Sequence, residues 1–341
     1  MSDIATIDCG YLAVVQAMLE DKWGDPIQRN NYIADVQTGL AVLENQAVNI
    51  IEFKDKAKER TVSLEWLEKC DITTTACSDD CTITGDDVEP VCKEYKIECL
   101  QETSFQVAKR VYRGRTIDEQ KAVAENFLLH MKAMDEYASN YMLAGIDANL
   151  GVNVETGSPG NVVGDLTYIA ANYWNEDIFA YFAKVIRMNK FRNPYLIDGK
   201  NMFSLIFKIM KEAGNADGKG AAAKLASLSN IYQDPENIES NVDYAGKTYL
   251  LHKTAAAFIS KAWNPAGAGA AISPAPGYKL YSINSMNLPG VVYDVVVKST
   301  CSGNDFIDAY KLQLNGLFAV NPTPCSDTNT GILGFKCGAG A

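Results

Sequence analysis

The chain has 341 residues, 47% hydrophobic and 21% charged, enough for a sizeable core spread over two or three lobes. Its formal net charge is −11, which argues against a dedicated nucleic-acid binder, since such proteins carry a basic surface to meet phosphate. No stretch reaches the roughly eighteen uninterrupted apolar residues of a membrane span, and the opening MSDIATIDCGYLAVVQAMLE lacks a basic n-region and a cleavage signature; the expectation is a soluble protein made in a cytoplasm.

Residues 1–59 read as an arm with short helices: Tyr11 to Leu19 is apolar enough for one, Pro26 interrupts, and Ile33 to Ile51 is a second amphipathic region. Strand alternation then begins. Val62, Leu64 and Trp66 share one face, with Ser63 and Glu65 on the other. Alternation resumes at Tyr95 and Ile97 and continues through Phe105 and Val107. Two strands closing a polar tip of some thirty residues make a long hairpin over 60–115, and a tip of that length usually has a task of its own.

The tip is the most unusual part of the chain. Five of the nine cysteines, Cys70, Cys77, Cys81, Cys92 and Cys99, fall inside it. From Glu65 to Glu102 there are eleven carboxylates against three lysines, so this one segment holds most of the excess charge. Only the Cys77–Cys81 gap has zinc-knuckle spacing. Three states stay open for these thiols: a structural zinc held by four of them, disulfides formed after release from a lysed cell, or reduced thiols in a loop. The Asp pairs at 79–80 and 86–87 lack calcium-loop spacing and read as a solvated acidic loop.

Residues 116–151 predict one long helix. Thr116 and Glu119 fit a capping box. Val123, Phe127, Met131, Met134, Tyr137 and Tyr141 form an apolar stripe, with Lys121, Glu125, Lys132 and Asp135 off it. Asn149 to Gly151 ends it. About thirty residues make a rod of roughly 45 Å. A Gly/Pro/Ser linker, 152–164, leads to a mixed lobe that reaches residue 246. It holds helices at Asn175–Phe191 and Asn201–Ala213, a strand at Pro194–Ile197 and a turn at Asp234-Pro235. Residues 247–341 predict five strands: Tyr249–Phe258, Tyr278–Ile283, Val291–Lys298, Tyr310–Val320 and Ile332–Cys337, with a small-residue loop at 264–277. The fold class is α+β.

Catalytic chemistry is scarce. The two histidines, His130 on the long helix and His252 in a strand, have no catalytic partner in sequence, and no nucleophile elbow, P-loop, HExxH or dinucleotide fingerprint is present. Structural roles are expected for both, with no catalytic and no cofactor-binding residue, so the chain does not read as an enzyme.

The order of arm, hairpin, long helix, mixed lobe and late strands resembles the Hong Kong 97-type major capsid protein of tailed bacteriophages. Local texture in CKEYKIECLQETSFQVAKRVYRGRTIDEQKAVAENFLLHM (92–131), KTYLLHKTAAAFISKAW (247–263), LPGVVYDVVV (288–297) and NPTPC…GILGFKCG (321–338) is similar to capsid proteins of Bacteroidetes phages, the crAss-like group included. The resemblance implies an N-terminal arm (1–59), an E-loop hairpin (60–115), a spine helix of the peripheral domain (116–151), an axial domain (152–246) and returning peripheral strands (247–341). It implies self-assembly into pentamers and hexamers of an icosahedral head around double-stranded DNA, without sequence-specific binding and without a membrane. A separate scaffolding protein, a portal and decoration proteins would be partners, and the place would be the virion capsid, assembled in the host bacterial cytoplasm. No residue here matches the crosslinking lysine and asparagine of the founding phage. The alternatives are an encapsulin-like nanocompartment shell and a disulfide-stapled surface binding module.

Overall fold

The computed structural model describes residues 33–46, 49–56, 59–67, 90–112, 119–175, 177–202, 204–205, 230–263, 273, 276–303, 305–321 and 330–338. The expected helix at Tyr11–Leu19, the capping threonine Thr116, most of the helix expected from Asn201 and most of the loop at 264–277 lie outside these residues. The chain divides into two compact units. One comprises Ile97–Tyr141 and Ile259–Leu317 with the segment ending at Leu43; the other comprises Glu44–Lys96, Met142–Phe258 and the segment from Phe318 onward.

In the first unit, helix α1 (Gln37–Asn45) begins the described chain and ends just past the unit boundary. Strand β4 (Glu98–Ala108) pairs antiparallel with the 16-residue strand β13 (Asp305–Val320), with a bulge between Leu314 and Asn315. Strand β13 pairs on with β12 (Val292–Ser302), and β12 with β11 (Tyr278–Asn284); β10 (Ala256–Ser260) completes the sheet beside β13. Along β13, Tyr310, Leu312 and Leu314 are buried as their alternation predicts. Tyr310 and Leu312 pack with the long helix α2 (Glu119–Asp147), whose Val123, Phe127, Leu128 and Met131 join Tyr281, Val295 and Val297 in one apolar core. At 29 residues, α2 is about 44 Å long. Each large side chain buried there contributes roughly 1.5–3 kcal/mol.

The second unit holds a separate three-stranded antiparallel sheet, β1 (Asn49–Lys56), β2 (Glu59–Leu67) and β3 (Pro90–Lys96). It also holds a mixed six-stranded sheet in the order β5 (Gly160–Val163), β6 (Leu166–Ile169), β14 (Ile332–Cys337), β9 (Lys247–Leu251), β7 (Tyr195–Asp198), β8 (Asn230–Gln233). Every residue of β7 and β9 is buried, so these strands are covered on both faces. Helix α3 (Ile178–Met188) packs Phe179, Phe182 and Val185 against Leu196, Leu250, Leu333 and Phe335. Near the end of α2, a Cβ on Gly145 would stand 2.5 Å from the Phe318 ring. That close approach explains a helix-interior glycine, which otherwise costs about 1 kcal/mol against alanine.

Several expectations change. The region Ile33–Ile51 is not one amphipathic helix; α1 gives way to β1, whose residues hydrogen-bond to β2. The second hairpin strand breaks at Ile97, which is buried: β3 continues the hairpin sheet, while β4 leaves it to pair with β13. The strand expected at Tyr249–Phe258 is two strands, because Thr254 takes a left-handed φ of 73° between them. Part of the 152–164 linker is β5. Asp234-Pro235 is not a free turn but the start of helix α4 (Pro235–Ser240): the Asp234 carboxylate accepts from the Asn237 N–H at 3.3 Å, and proline suits the first helical position. The helix expected at Asn175–Phe191 is trimmed to α3.

Candidate assembly interface

The β1–β3 sheet is built on the predicted face: Val62 and Leu64 of β2 are fully buried, and Thr61 and Ser63 are only partly so. The register sets Val62 opposite Phe53 and Tyr95, and the Thr61 hydroxyl donates to Glu94 Oε1 at 2.7 Å. Lys93, Glu94 and Lys96 on β3 are exposed. Among the described residues, β1 and β3 are the outer strands of this sheet. Charged side chains on such an edge discourage indiscriminate pairing while leaving the edge open to a matched partner.

Of the five predicted cysteines, Cys70, Cys77 and Cys81 lie outside the described residues. Cys92 stands in β3 opposite Glu65, and Cys99 stands in β4 opposite Asn315, so two neighbours in sequence are distributed to different sheets. The Cys99 thiol is exposed; partial burial and then the Glu102 charge push its pKa up, which favours the thiol over the thiolate that zinc would need. Among the described residues no cluster of three or more metal-binding side chains occurs.

The long helix is fixed by two of its carboxylates, Asp135 and Asp147. Asp135 was expected off the apolar stripe, yet it is fully buried. Its carboxylate accepts from Ser285 Oγ at 2.6 Å, from Asn287 Nδ2 at 2.7 Å and from the Tyr293 hydroxyl. Burial holds the Asp135 carboxyl above its ordinary value against the pull of these donors. One turn on, the Ser139 hydroxyl accepts the Gly39 N–H at 3.0 Å. At the end of the same helix, Asp147 accepts from Lys247 Nζ at 2.6 Å and from the Tyr249 hydroxyl at 2.9 Å. A second fully buried carboxylate, Asp294 on β12, takes the Trp263 N–H and Asn315 Nδ2. Asn315 therefore turns inward, against the β13 alternation, because the bulge at Leu314/Asn315 rotates it. The signal that could have found Asp135 is its position four residues from both Met131 and Ser139, on the buried face.

Both histidines are engaged structurally. His130 Nδ1 lies 2.7 Å from the Thr103 hydroxyl, and its ring stacks on Phe105 with centroids 5.0 Å apart. His252 sits just beyond β9 rather than inside a strand; its Nδ1 accepts the Arg192 N–H at 2.8 Å beside the Phe191 ring. Burial lowers both imidazole pKa values, and for His252 the Arg192 charge adds to it.

No protein-family model and no curated protein matches this sequence. Among solved structures, the chain is similar to the cyanophage A-1(L) capsid asymmetric unit, at 11% identity and a TM-score of 0.48 over 87% of this chain and 91% of that one. It is similar to a chain of Mycobacterium phage Adephagia at 10% identity and a TM-score of 0.46, over 91% of each chain. It is also similar to the capsid of cyanophage P-SCSP1u at 11% identity and a TM-score of 0.42, over 87% of each chain. The elements themselves run in the order that the Hong Kong 97-type capsid resemblance implies: hairpin sheet, long helix, mixed lobe and returning strands.

Proposed function

We propose that this chain is a major capsid protein that self-assembles into pentamers and hexamers of an icosahedral phage head enclosing double-stranded DNA. The observation that carries the reading is the order of the described elements: the three-stranded β1–β3 sheet, then strand β4, then a 29-residue helix. In a closed symmetric assembly a neighbouring copy can cover the outer strands of such a sheet. The division of labour under this reading is arm 1–59, E-loop hairpin 60–115, spine 116–151, axial domain 152–246 and returning strands 247–341, except that β1 joins the hairpin sheet, β4 leaves it for β13, and β9 and β14 pair into the mixed sheet of the axial segment. An acidic wall suits the role, since it repels packaged phosphate and lets DNA slide. A separate scaffolding protein, a portal and decoration proteins are the expected partners, and assembly takes place in the host cytoplasm.

The acidic segment from Glu65 to Glu102 is the intersubunit contact in this reading, held by a neighbour's basic surface or by its own cysteines. The test is negative-stain imaging and sedimentation of the expressed chain, with and without its genomic neighbours. Shells of repeating capsomers are expected; a monodisperse monomer under every condition overturns the reading. Deleting residues 71–91 leaves a foldable body that assembles poorly. Normal yield and salt resistance of the deletion variant would make the tip dispensable.

A further inference from the structure

Residues 151–155, which follow α2 in the second unit, alternate in an inverted sense. Asn153 and Glu155 are 2% and 6% exposed, while Val152 and Val154 are 45% and 57% exposed. The inward side chains are engaged. Asn153 Nδ2 donates to Thr167 Oγ1 at 3.1 Å, and Asn153 Oδ1 accepts Asn189 Nδ2 at 2.9 Å and the Glu155 N–H at 3.0 Å. Glu155 Oε1 accepts the Gly157 N–H at 2.8 Å and meets Lys184 Nζ at 2.9 Å. The Val154 N–H donates to Asn189 Oδ1 at 3.3 Å, which holds the Val154 backbone at the residue that follows α3, whose last residue, Met188, is 50% exposed. Lys184, Arg187 and Lys190 are exposed cations on α3 and the turn after it.

A surface segment ordinarily buries valine and exposes asparagine and glutamate. Here a network of buried polar groups fixes the opposite arrangement, and a local rule broken at such expense in hydrogen bonds marks a functional surface. The product is a small set of exposed apolar side chains with cations near it.

We propose that Val152, Val154 and Met188, with Arg187 and Lys190 beside them, form a contact surface for a second copy of this chain; the proposal rests on the shell reading. Charge selects the occupant. The chain as a whole is at −11, and its Glu65–Glu102 segment supplies eleven carboxylates to meet Arg187 and Lys190. Size selects the setting. Three side chains fall well short of the about 800 Å² per partner that a stable pair buries. The contact therefore belongs to a closed ring, where it repeats at every subunit alongside other contacts.

Two variants test this in the full-length chain expressed with its genomic neighbours: Val152→Thr with Val154→Thr, which keeps shape and removes apolarity, and Arg187→Glu with Lys190→Glu. Unfolding midpoints of the unassembled subunit are expected to match wild type. Shell yield by sedimentation is expected to fall at least about fivefold for each variant, and wild-type yield to fall as salt rises. Variants that fold and assemble as wild type overturn this proposal alone. Charge variants that form normal shells but fail to retain DNA also overturn it, and assign these cations to nucleic acid. A wild-type chain that forms no shell overturns the shell reading and this proposal together.

Discussion

Asp135 and Asp147 stand on the same helix, one in each compact unit, and they solve the same problem in different ways. Asp135 is fully buried with three neutral donors; Asp147 is partly exposed and takes a lysine ammonium and a phenol. Neutral donors leave the desolvation of the charge incompletely offset, so burial still raises the Asp135 pKa. A cation partner offsets charge with charge, provided the pair has good geometry. The lesson is that the helix is tied down in the first unit by a proton-sensitive polar network and in the second by an ion pair.

The largest expected effect comes from breaking the first arrangement. Asp135→Ala removes the shared acceptor of Ser285, Asn287 and Tyr293 and opens a void, so denaturant unfolding of the subunit is expected to show a loss of about 3–5 kcal/mol. A loss under 1 kcal/mol would mean that the helix is held by apolar packing alone. Lys247→Met removes the cation of the second arrangement but keeps the buried stem. With Asp147 only partly exposed, about 1–3 kcal/mol should be lost, less than for Asp135. A reversed ranking would sink the comparison.

The pH response sharpens it further. Asp198 is another carboxylate with neutral partners, the Thr248 hydroxyl at 2.6 Å and the Met202 N–H at 2.9 Å. Burial pushes its pKa up to about 6. A carboxyl whose folded pKa is raised binds its proton more tightly in the folded state. Its contribution is therefore fully present below about pH 4 and is lost as pH rises through about 6, by roughly 2–3 kcal/mol. Asp135 acts in the same direction. Asp198→Asn is expected to flatten the stability profile between pH 4 and 6, measured by chemical denaturation in a buffer series; an unchanged slope would remove Asp198 as its source. Smallest of all, His130→Gln and His252→Gln should each shift stability by about 1 kcal/mol or less and affect no reaction, since each ring makes one local hydrogen bond and one aromatic contact. Loss of a measured turnover with the fold intact would reveal a catalyst.

Much of the architecture follows from local pattern. The alternation of Val62 with Leu64 and of Tyr310, Leu312 and Leu314 marks strands because side chains on a strand point to opposite faces in turn. The spacing of Val123, Phe127, Met131 and Met134 marks α2 for the corresponding helical reason, and Ile332–Cys337 is a strand as its apolar run predicts. These signals are carried by neighbours in sequence, and composition alone shows the acidic, Cys-rich segment.

Pairing is different, because it depends on residues far apart in the chain. That the run from Tyr95 to Val107 divides at Ile97, one half joining β2 and the other β13, is settled by a partner two hundred residues away. The burial of Asp135, Asp294 and Asn315 is likewise invisible to a hydropathy pattern, which sends polar residues outward unless distant donors arrive to meet them. The same holds for the inverted segment at 152–155, whose valines face out because Thr167, Lys184 and Asn189 claim its polar side chains. Sequence by itself determined the strongly patterned elements, β2, the long helix and most of the late strands; tertiary structure decided the remaining strands, their pairing and which polar groups are buried, because only there do distant hydrogen-bond partners come within reach.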